Sequence, residues 1–313
     1  MLIKAADDKA NEIQTLEALL ERPDVAKATA KNIELEIIKI RAGAKAERDA
    51  AYQIDFYLRD GTSFAVIHDL RIEHGGRVAQ IDHLLVNRGC DVWVCESKSF
   101  AEGVSINDYG EWSSYFRGRA RGIASPIEQN KQHISVLRDV LKSGVVPLPK
   151  RLGITIQPDL HGLILVSSSA RISRPRTSLA IDGLDSVIKC DQLTTTIDKG
   201  IDARLVKSVM KVIGPETLET LARNIAALHK PIRVDWRARF GLSPEHEAHD
   251  ESLTRAIDST GAAVRSDANG DQCGSCQAPL SAKVADYCRA NTTKFVGRLL
   301  CWDCQRKARA VPN

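Results

Sequence analysis

The stretch QIDHLLVNRGCDVWVCESKSF, residues 80–100, decides the fold because two apolar runs flank the short polar connection NRGC. Alternating apolar residues on both sides of such a connection predict two antiparallel strands joined by a turn. Three charged side chains lie within the runs, Asp82 in the first and Glu96 and Lys98 in the second. Because burying a charge costs free energy unless it is compensated, these residues are the first candidates for a functional site.

Asp82 and Glu96 are expected to converge across this hairpin. Side chains alternate between the two faces of a strand, so Asp82 shares a face with Leu84 and Val86, and Glu96 shares one with Lys98. If NRG is a tight turn, Asp82 stands opposite or diagonal to Glu96. Two carboxylates that close repel each other, which raises a carboxylate pKa unless a cation lies between them. A divalent metal would supply that cation; a buried ion pair of Lys98 with either acid is the structural alternative.

A further carboxylate, Glu47, lies in the helical segment before the strands. Glu47, Ala51, Ile54 and Leu58 fall on one stripe of a helix, so Glu47 points the way the apolar face points. A helix packed on the sheet brings this carboxylate toward the same edge, unless Glu47 only marks the rim of that face. Carboxylates beside a lysine suit phosphodiester hydrolysis, because Mg²⁺ takes a few carboxylates and fills its remaining positions with water and phosphate oxygens.

The order of elements along the chain predicts a mixed α/β domain. Helical periodicity covers residues 9–58, and strand alternation over 62–99 predicts a three-stranded meander. A helix with a Ser cap and Pro at its first position follows at 125–144, then a short buried strand at 160–168 and a helix at 216–230.

Four segments together resemble a known family. They are GAKAERDAAYQIDFYL with Glu47, QIDHLLV with Asp82, ESK with Glu96 and Lys98, and SPIEQNKQH with Gln129. In this combination and order the segments resemble the nuclease-related domain, NERD, a branch of the PD-(D/E)xK nuclease superfamily.

The resemblance implies a restriction-endonuclease-like α/β core, a mixed sheet flanked by helices. It implies Asp82, Glu96 and Lys98 as the nuclease triad, with Asp82 and Glu96 as metal ligands. Glu47 and Gln129 are the implied supporting residues. Gln80, which precedes Asp82 on the same predicted face, is expected to align the metal or the phosphate.

Cysteines near the end of the chain predict a zinc site. Five of the eight cysteines lie in residues 273–313, in a chain without a secretory signal, which favours a metal over disulfides. The knuckles CGSC and CWDC have the spacing that wraps thiolates around one tetrahedral ion. Cys288 is expected to be spare or part of a core, although it could replace one ligand. The predicted Zn²⁺ ligands are Cys273, Cys276, Cys301 and Cys304.

Composition divides the chain into three parts. Residues 1–240 form the predicted nuclease-like domain, 241–272 a polar linker, and 273–313 a small zinc-ribbon-like domain. Within the linker, His246 and His249 have no apolar context, so a metal site there is the less favoured interpretation.

Basic residues indicate a polyanionic partner. Residues 271–313 carry seven Lys and Arg against three Asp, which accounts for the whole net charge of +4. The segment YFRGRARG places Arg117, Arg119 and Arg121 at alternate positions, where a strand or loop would present them to a phosphate backbone. A solvated loop is the competing interpretation of this segment.

The sequence thus predicts a metal-dependent endo- or exonuclease that acts on DNA, and RNA remains an alternative substrate. The predicted metals are Mg²⁺ or Mn²⁺ at the carboxylates and Zn²⁺ in the tail. A separate helicase or a second copy of the chain is the expected partner. The rival hypothesis is a catalytically inactive module of the same fold that binds nucleic acid or protein.

Composition also bears on compartment. The chain of 313 residues is 43% hydrophobic and 27% charged, values of an ordinary soluble protein. Its first residues, MLIKAADDKANE, lack the apolar core of a signal peptide, and no apolar run approaches the roughly 18 residues of a membrane span. We therefore expect a cytoplasmic protein without a membrane partner.

Overall fold

A computed structural model describes residues 1–175, 181–204, 211–243, 271–291, 298–301 and 304–305. The chain divides into two units, Met1–Glu245 and His246–Asn313, and each is described by itself. Most of the predicted linker, including His246 and His249, lies outside the described residues.

Strands of the first unit form two larger sheets and one small hairpin. They are β1 (Leu2–Lys4), β2 (Phe64–His74), β3 (Arg77–Asn87), β4 (Asp91–Lys98), β5 (Gly103–Ile106), β6 (Trp112–Phe116), β7 (Arg119–Ile123), β8 (Lys150–Arg151), β9 (Ile154–Thr155), β10 (Asp159–Val166), β11 (Arg171–Ser173) and β12 (Val187–Lys189). The central sheet has the strand order β1-β2-β3-β4-β10-β12, and the second sheet has the order β11-β5-β6-β7.

The predicted meander is confirmed. β2 pairs antiparallel with β3, and β3 pairs antiparallel with β4, whereas β1, β10 and β12 join parallel to their neighbours. The mixed sheet arises because the hairpins at 75–76 and 88–90 connect neighbouring strands directly, while β10 returns beside β4 only after the crossover that contains the predicted helix at 125–144.

Helices cover both faces of the central sheet, as predicted. In the first unit they are α1 (Ala10–Leu20), α2 (Lys27–Leu58), α3 (Pro126–Lys142), α4 (Leu193–Asp202), α5 (Pro215–Ala226) and α6 (Trp236–Phe240). One core cluster joins α2 to the sheet through Ala50 and Ile54, and the opposite cluster joins α3 through Val136, Leu137 and Val140. The sheet is therefore buried on both faces, which accounts for its continuous apolar strands.

Helix α3 begins where the sequence predicts. The side chain of Ser125 accepts a hydrogen bond from the backbone N–H of Glu128 at 3.4 Å, and Pro126 occupies the first turn. The cap satisfies one of the free N–H groups at the helix start and fixes the position at which the chain enters α3.

Strict alternation along β2 and β3 fails beside Asp82. The core cluster under α3 takes Ala79 and Ile81 from the first half of β3 but Leu84 and Val86 from the second half. The ladder between β2 and β3 is interrupted at the same place, where Asp69 of β2 adopts a positive φ of 50°. Expecting one face for positions 80, 82, 84 and 86 was therefore wrong, because both strands change face at this irregularity.

In the second unit, the described residues include one short helix and one core cluster. The helix is α7 (Ala282–Ala290), and the core cluster centres on Cys273, Cys288 and Leu300. Across the described part of both units, no helix combines the length and apolar character that crossing a membrane requires.

Candidate active site

The structure brings Asp82, Glu96 and Lys98 together at one end of the central hairpin. His83 pairs with Cys95, so Asp82 and Glu96 occupy the next positions of the two strands. The backbone N–H of Ser97 donates to Oδ2 of Asp82 at 2.7 Å, and Nζ of Lys98 lies 2.7 Å from Oε1 of Glu96. This convergence follows from the turn between β3 and β4, which sets the register.

Glu96 is buried with half of its carboxylate unsatisfied. The residue is only 3% exposed. Its Oε1 accepts from Lys98, whereas its Oε2 and Nδ1 of His133 have no hydrogen bond to any described residue, although the two atoms are 3.5 Å apart. Buried polar atoms without partners are rare because each costs about 1–3 kcal/mol. A cation bound at Oε2 would remove this cost, so the site suits a metal ion.

Electrostatic repulsion within the site also calls for a cation. Burial raises the pKa of Asp82 well above its usual range, and the nearby Glu96 and Glu47 carboxylates raise it further. Burial and then Asp69 raise the pKa of Glu47, which also interacts electrostatically with Glu96 and Lys98. Glu47 is thus within electrostatic range of Asp82, Glu96 and Lys98.

The carboxylates do not form a closed cage. Among the described residues, only one group brings three or more His, Cys, Asp or Glu ligand atoms within 4.8 Å of one another. This group consists of cysteines of the second unit. An open set of carboxylates is compatible with Mg²⁺, which usually binds through one or two carboxylates and keeps several waters.

His133 is a site residue that the sequence analysis missed. It lies on α3 one turn after Gln129, so both project from the same side of the helix. Burial lowers the pKa of His133, so the ring is neutral near pH 7. The Gln-x-x-x-His spacing within SPIEQNKQH is the signal that could have indicated it. The partly buried Gln129 and Gln80 side chains make no hydrogen bond to a described residue.

A buried amide fixes α3 against the strands that carry Glu96. Nδ2 of Asn130 donates to the carbonyl oxygens of Val94 at 2.9 Å and Leu163 at 3.3 Å. A Cβ on Gly162 would lie 3.1 Å from this Nδ2 atom, so the absence of a side chain at Gly162 permits the close approach. The contact holds His133, three residues further along α3, next to Glu96.

A second missed feature is a cleft beside Glu47. It has a volume of about 690 Å³ and lies between the segment after β1 and helix α2. Nζ of Lys9 in this segment is 3.2 Å from Oδ2 of Asp69. The cleft leads from solvent toward Glu47 and is bordered by Lys9, Arg41, Lys45 and Arg48.

A chain of hydrogen bonds supports the site from the α2 side of the sheet. Oδ1 of Asp55 is 3.1 Å from Nε2 of His68, Nδ1 of His68 is 2.7 Å from Nδ1 of His83, and Nε2 of His83 is 2.8 Å from Oγ of Ser97. Burial lowers the pKa of both histidines. With both rings neutral, His68 donates to Asp55, His83 donates to His68, and the Ser97 hydroxyl donates to His83. Each hydrogen bond of the chain then has one donor and one acceptor. Ser97 then offers its backbone N–H to Asp82.

Arg117, Arg119 and Arg121 belong to a hairpin of the second sheet rather than to a loop. β6 and β7 pair antiparallel, with Arg119 opposite Phe116 and Arg121 opposite Ser114. The carboxylate of Glu102 accepts from the backbone N–H groups of Arg117 and Gly118, which fixes the turn. The three arginines are exposed and form no ion pair within the described residues.

The four predicted zinc ligands also come together. The Sγ atoms of Cys273, Cys276, Cys301 and Cys304 lie within 4.8 Å of one another. A hydrogen bond from the backbone N–H of Cys301 lowers the pKa of Cys273 to about 6, which favours the thiolate that zinc requires. The donor set and its closeness fit Zn²⁺.

Cys288 stands outside this group. It is buried, and its Sγ accepts hydrogen bonds from the Leu300 backbone N–H and from Nε2 of Gln305, each at 3.4 Å. Of the two roles that the sequence left open for Cys288, the structure favours the core position over the replacement ligand.

These features define a class of protein: a nuclease-like α/β domain with a carboxylate and lysine site at the end of its central hairpin, followed by a small cysteine-rich unit. Residues 42–164 match the family model described as Nuclease-related domain (NERD). The match contains Glu47, Asp82, Glu96, Lys98 and Gln129. No curated protein and no solved structure matches the chain significantly.

Proposed function

We propose that this protein is a metal-dependent nuclease that hydrolyses phosphodiester bonds in DNA. The observation that carries the proposal is the buried carboxylate of Glu96, with one oxygen paired to Lys98 and the other without a hydrogen bond to a described residue. A bound divalent cation and a substrate phosphate would complete such a half-satisfied group.

Asp82 and Glu96 are the residues that would hold Mg²⁺ or Mn²⁺. When bound, the ion supplies charge that polarises the scissile phosphate and lowers the pKa of the attacking water. The Ser97 N–H keeps one oxygen of Asp82 oriented, and burial keeps competing water away from Glu96. Both features reduce the reorganisation that binding of the ion requires.

Lys98 and His133 act on either side of Glu96. The Lys98 ammonium is 29% exposed and can turn from Glu96 toward a phosphate oxygen, where it stabilises the negative charge that develops in the transition state. The neutral His133 ring lies beside Oε2 of Glu96, with its Nδ1 atom 3.5 Å away. Glu47, whose pKa is raised, is suited to exchange a proton with water at the rim. Gln129, one turn before His133 on α3, supplies a further donor to the phosphate.

We assign DNA binding to the β6–β7 hairpin of the first unit and to the basic sequence of residues 271–313. The β6–β7 hairpin presents Arg117, Arg119 and Arg121, with the exposed Phe116 available for stacking. In the second unit, Zn²⁺ held by the four cysteines would stabilise a basic ribbon that adds phosphate contacts.

Cys90, Cys95 and Cys190 are buried without disulfides, which supports a reducing compartment such as the cytoplasm.

The Lys98–Glu96 ion pair also supports a second candidate function. A buried ion pair is what an inactive module that grips nucleic acid or protein would keep at this position. Such a module would bind DNA with the same affinity whether or not divalent metal is present.

The test is cleavage of supercoiled plasmid, linear duplex, single-stranded DNA and RNA by the purified protein with Mg²⁺ or Mn²⁺. We expect Glu96→Gln and Lys98→Ala each to lower the cleavage rate by roughly 100-fold or more, as loss of a group that stabilises transition-state charge does. Glu216→Gln and Lys199→Ala, which alter exposed residues on α5 and α4, are the matched controls and should retain full activity.

Two outcomes would overturn the nuclease. One is cleavage that the Glu96 and Lys98 variants retain, because the activity would then lie elsewhere or come from a contaminant. The other is a folded, zinc-loaded protein that binds DNA independently of Mg²⁺ and cuts no member of the panel, which supports the binding module.

A further inference from the structure

Helix α2 exposes a regular row of side chains along its outer side. The apolar members Leu35, Ile38, Tyr52 and Phe56 are 46%, 60%, 66% and 68% exposed. The row advances by alternate steps of three and four residues, which is the spacing of a coiled-coil seam. Its middle positions, all exposed as well, are Ala42, Lys45 and Asp49.

This row is not the side of α2 that packs within the unit. The buried residues of the helix are Ile33, Ile37, Ala44, Ala50 and Ile54. Ile33 and Ile37 share a core cluster with α1 and α6, and Ala50 and Ile54 share one with the central sheet. Other exposed positions of the helix are mostly charged, including Glu34, Lys39, Arg41 and Arg48. Large apolar side chains are thus concentrated on one exposed stripe, where a monomer gains nothing from them.

The row is apolar at both ends and charged at its centre. Nζ of Lys45 is 2.5 Å from Oδ2 of Asp49, and both side chains remain more than half exposed. Near the far end, the rings of Tyr52 and Phe56 have centroids 6.3 Å apart. This surface carries one cation and one anion between two apolar ends. It is therefore complementary to a second copy of itself that runs in the opposite direction.

We propose that α2 pairs antiparallel with α2 of a second copy of this chain, about a twofold axis near position 47. This register sets Ile38 against the partner's Phe56, Ala42 against the partner's Tyr52, and Lys45 against the partner's Asp49. Ile38 and Ala42 then each meet an aromatic ring, and each charge meets its opposite. A parallel pair would instead place Lys45 against the partner's Lys45 and Asp49 against the partner's Asp49.

The proposed contact is large enough for a reversible dimer. Positions 38 to 56 span about 27 Å at 1.5 Å per residue. The four aromatic rings of the two copies would bury roughly 600–1,000 Å², and the aliphatic residues bring the interface to the lower end of the 1,200–2,000 Å² of stable complexes. We therefore expect association in the micromolar range. The proposal concerns assembly and does not rest on the nuclease function.

Charge also argues for a second copy over nucleic acid at this face. Asp49 in the middle of the row would repel a phosphate backbone, whereas it complements the partner's Lys45. The exposed rings of Tyr52 and Phe56 could instead stack on nucleic-acid bases. The experiment that follows distinguishes dimerisation from nucleic-acid binding at this face.

The experiment is sedimentation velocity of the full chain from about 1 to about 100 µM. The wild type should shift from monomer to dimer across this range. Ile38→Glu and Phe56→Glu should each raise the dissociation constant at least tenfold. Matched controls are the single variants Leu152→Glu and Ile154→Glu, each of which adds the same charge to a side chain, 92% or 73% exposed, at the β8–β9 hairpin. Both controls should dimerise like the wild type.

A charge exchange tests the register. Lys45→Asp alone gathers four acids at the centre and should weaken the dimer, whereas Lys45→Asp with Asp49→Lys should restore it, because both copies change together. A protein that stays monomeric at about 100 µM, a dimer indifferent to Phe56→Glu, or a charge exchange that fails to restore association in correctly folded variants overturns the proposal. So does a monomer whose Tyr52→Ala variant loses affinity for single-stranded DNA.

Discussion

At the scale of single residues, burial of Asp82, a proposed metal ligand, lowers the stability of the metal-free protein. Its side chain lies at the irregularity shared by β2 and β3, and burial, Glu96 and Glu47 raise its pKa. A raised pKa in the folded state means that this group favours folding below its unfolded pKa and loses that contribution as the pH rises through the folded value. At pH values above its unfolded pKa, Asp82 therefore destabilises the metal-free protein.

We expect Asp82→Asn to melt at a higher temperature than the wild type in magnesium-free buffer at about pH 7.5, where each 1 kcal/mol corresponds to about 2–4 °C. The difference should shrink as the pH falls through the raised pKa of the folded carboxyl and vanish near about 4, where the unfolded carboxyl is protonated as well. Mg²⁺ should stabilise the wild type and leave the variant unchanged. Thermal melts with and without Mg²⁺ measure this, and a variant less stable than the wild type at pH 7.5 would contradict it.

At the scale of elements, the β6–β7 hairpin is the part of the first unit best suited to hold a phosphate backbone. Its turn is fixed by Glu102, and Arg117 stacks over the Phe116 ring at 5.3 Å. Arg119 and Arg121 point to one face because they are two residues apart on a strand. The hairpin is therefore a preorganised pair of cations, and its effect on binding should be electrostatic.

The variant Arg119→Ala with Arg121→Ala should weaken DNA binding and reduce the slope of log K against log salt by about 2, because each lost phosphate contact removes about 0.7–0.9 from the slope. Fluorescence anisotropy across a salt series measures this slope. Arg233→Ala with Lys199→Ala, two exposed cations elsewhere in the unit, is the matched control. Equal slopes for both double variants would show that the hairpin does not touch the backbone.

At the scale of the whole molecule, the two units should differ in their dependence on metal. The first unit has continuous core clusters on both faces of its central sheet, whereas the core cluster of the second centres on Cys273, Cys288 and Leu300. A core cluster of this size among the described residues offsets little of the chain entropy of folding, so we expect bound zinc to supply much of the stability.

Removal of zinc with a strong chelator should therefore unfold the second unit while the first keeps its thermal transition. Cys301→Ala should lose zinc in the same way, whereas Cys288→Ala should keep one ion per chain because its sulfur belongs to the core. Metal analysis combined with hydrogen exchange distinguishes the units. Loss of zinc from Cys288→Ala, or melting of both units on chelation, would contradict this expectation.

The sequence by itself determined the features that depend on neighbouring residues. Alternation predicted β2, β3 and β4, the Ser125 cap predicted the start of α3, and the turn after Asn87 set the register that brings Asp82 to Glu96. Such signals are local because hydrogen-bond geometry repeats every two or 3.6 residues, so a short stretch contains the whole pattern.

Only the tertiary structure decided the features that join distant parts of the chain. The contact of His133 with Glu96, the chain from Asp55 to Ser97, and the support of the arginine hairpin by Glu102 each connect residues on different elements. The change of face at Asp82 was also hidden, because it requires a positive φ at Asp69, a conformation that residue type seldom indicates. These positions are set by elements that pack against both faces of the central sheet. The local periodicity of the sequence carries no information about that packing.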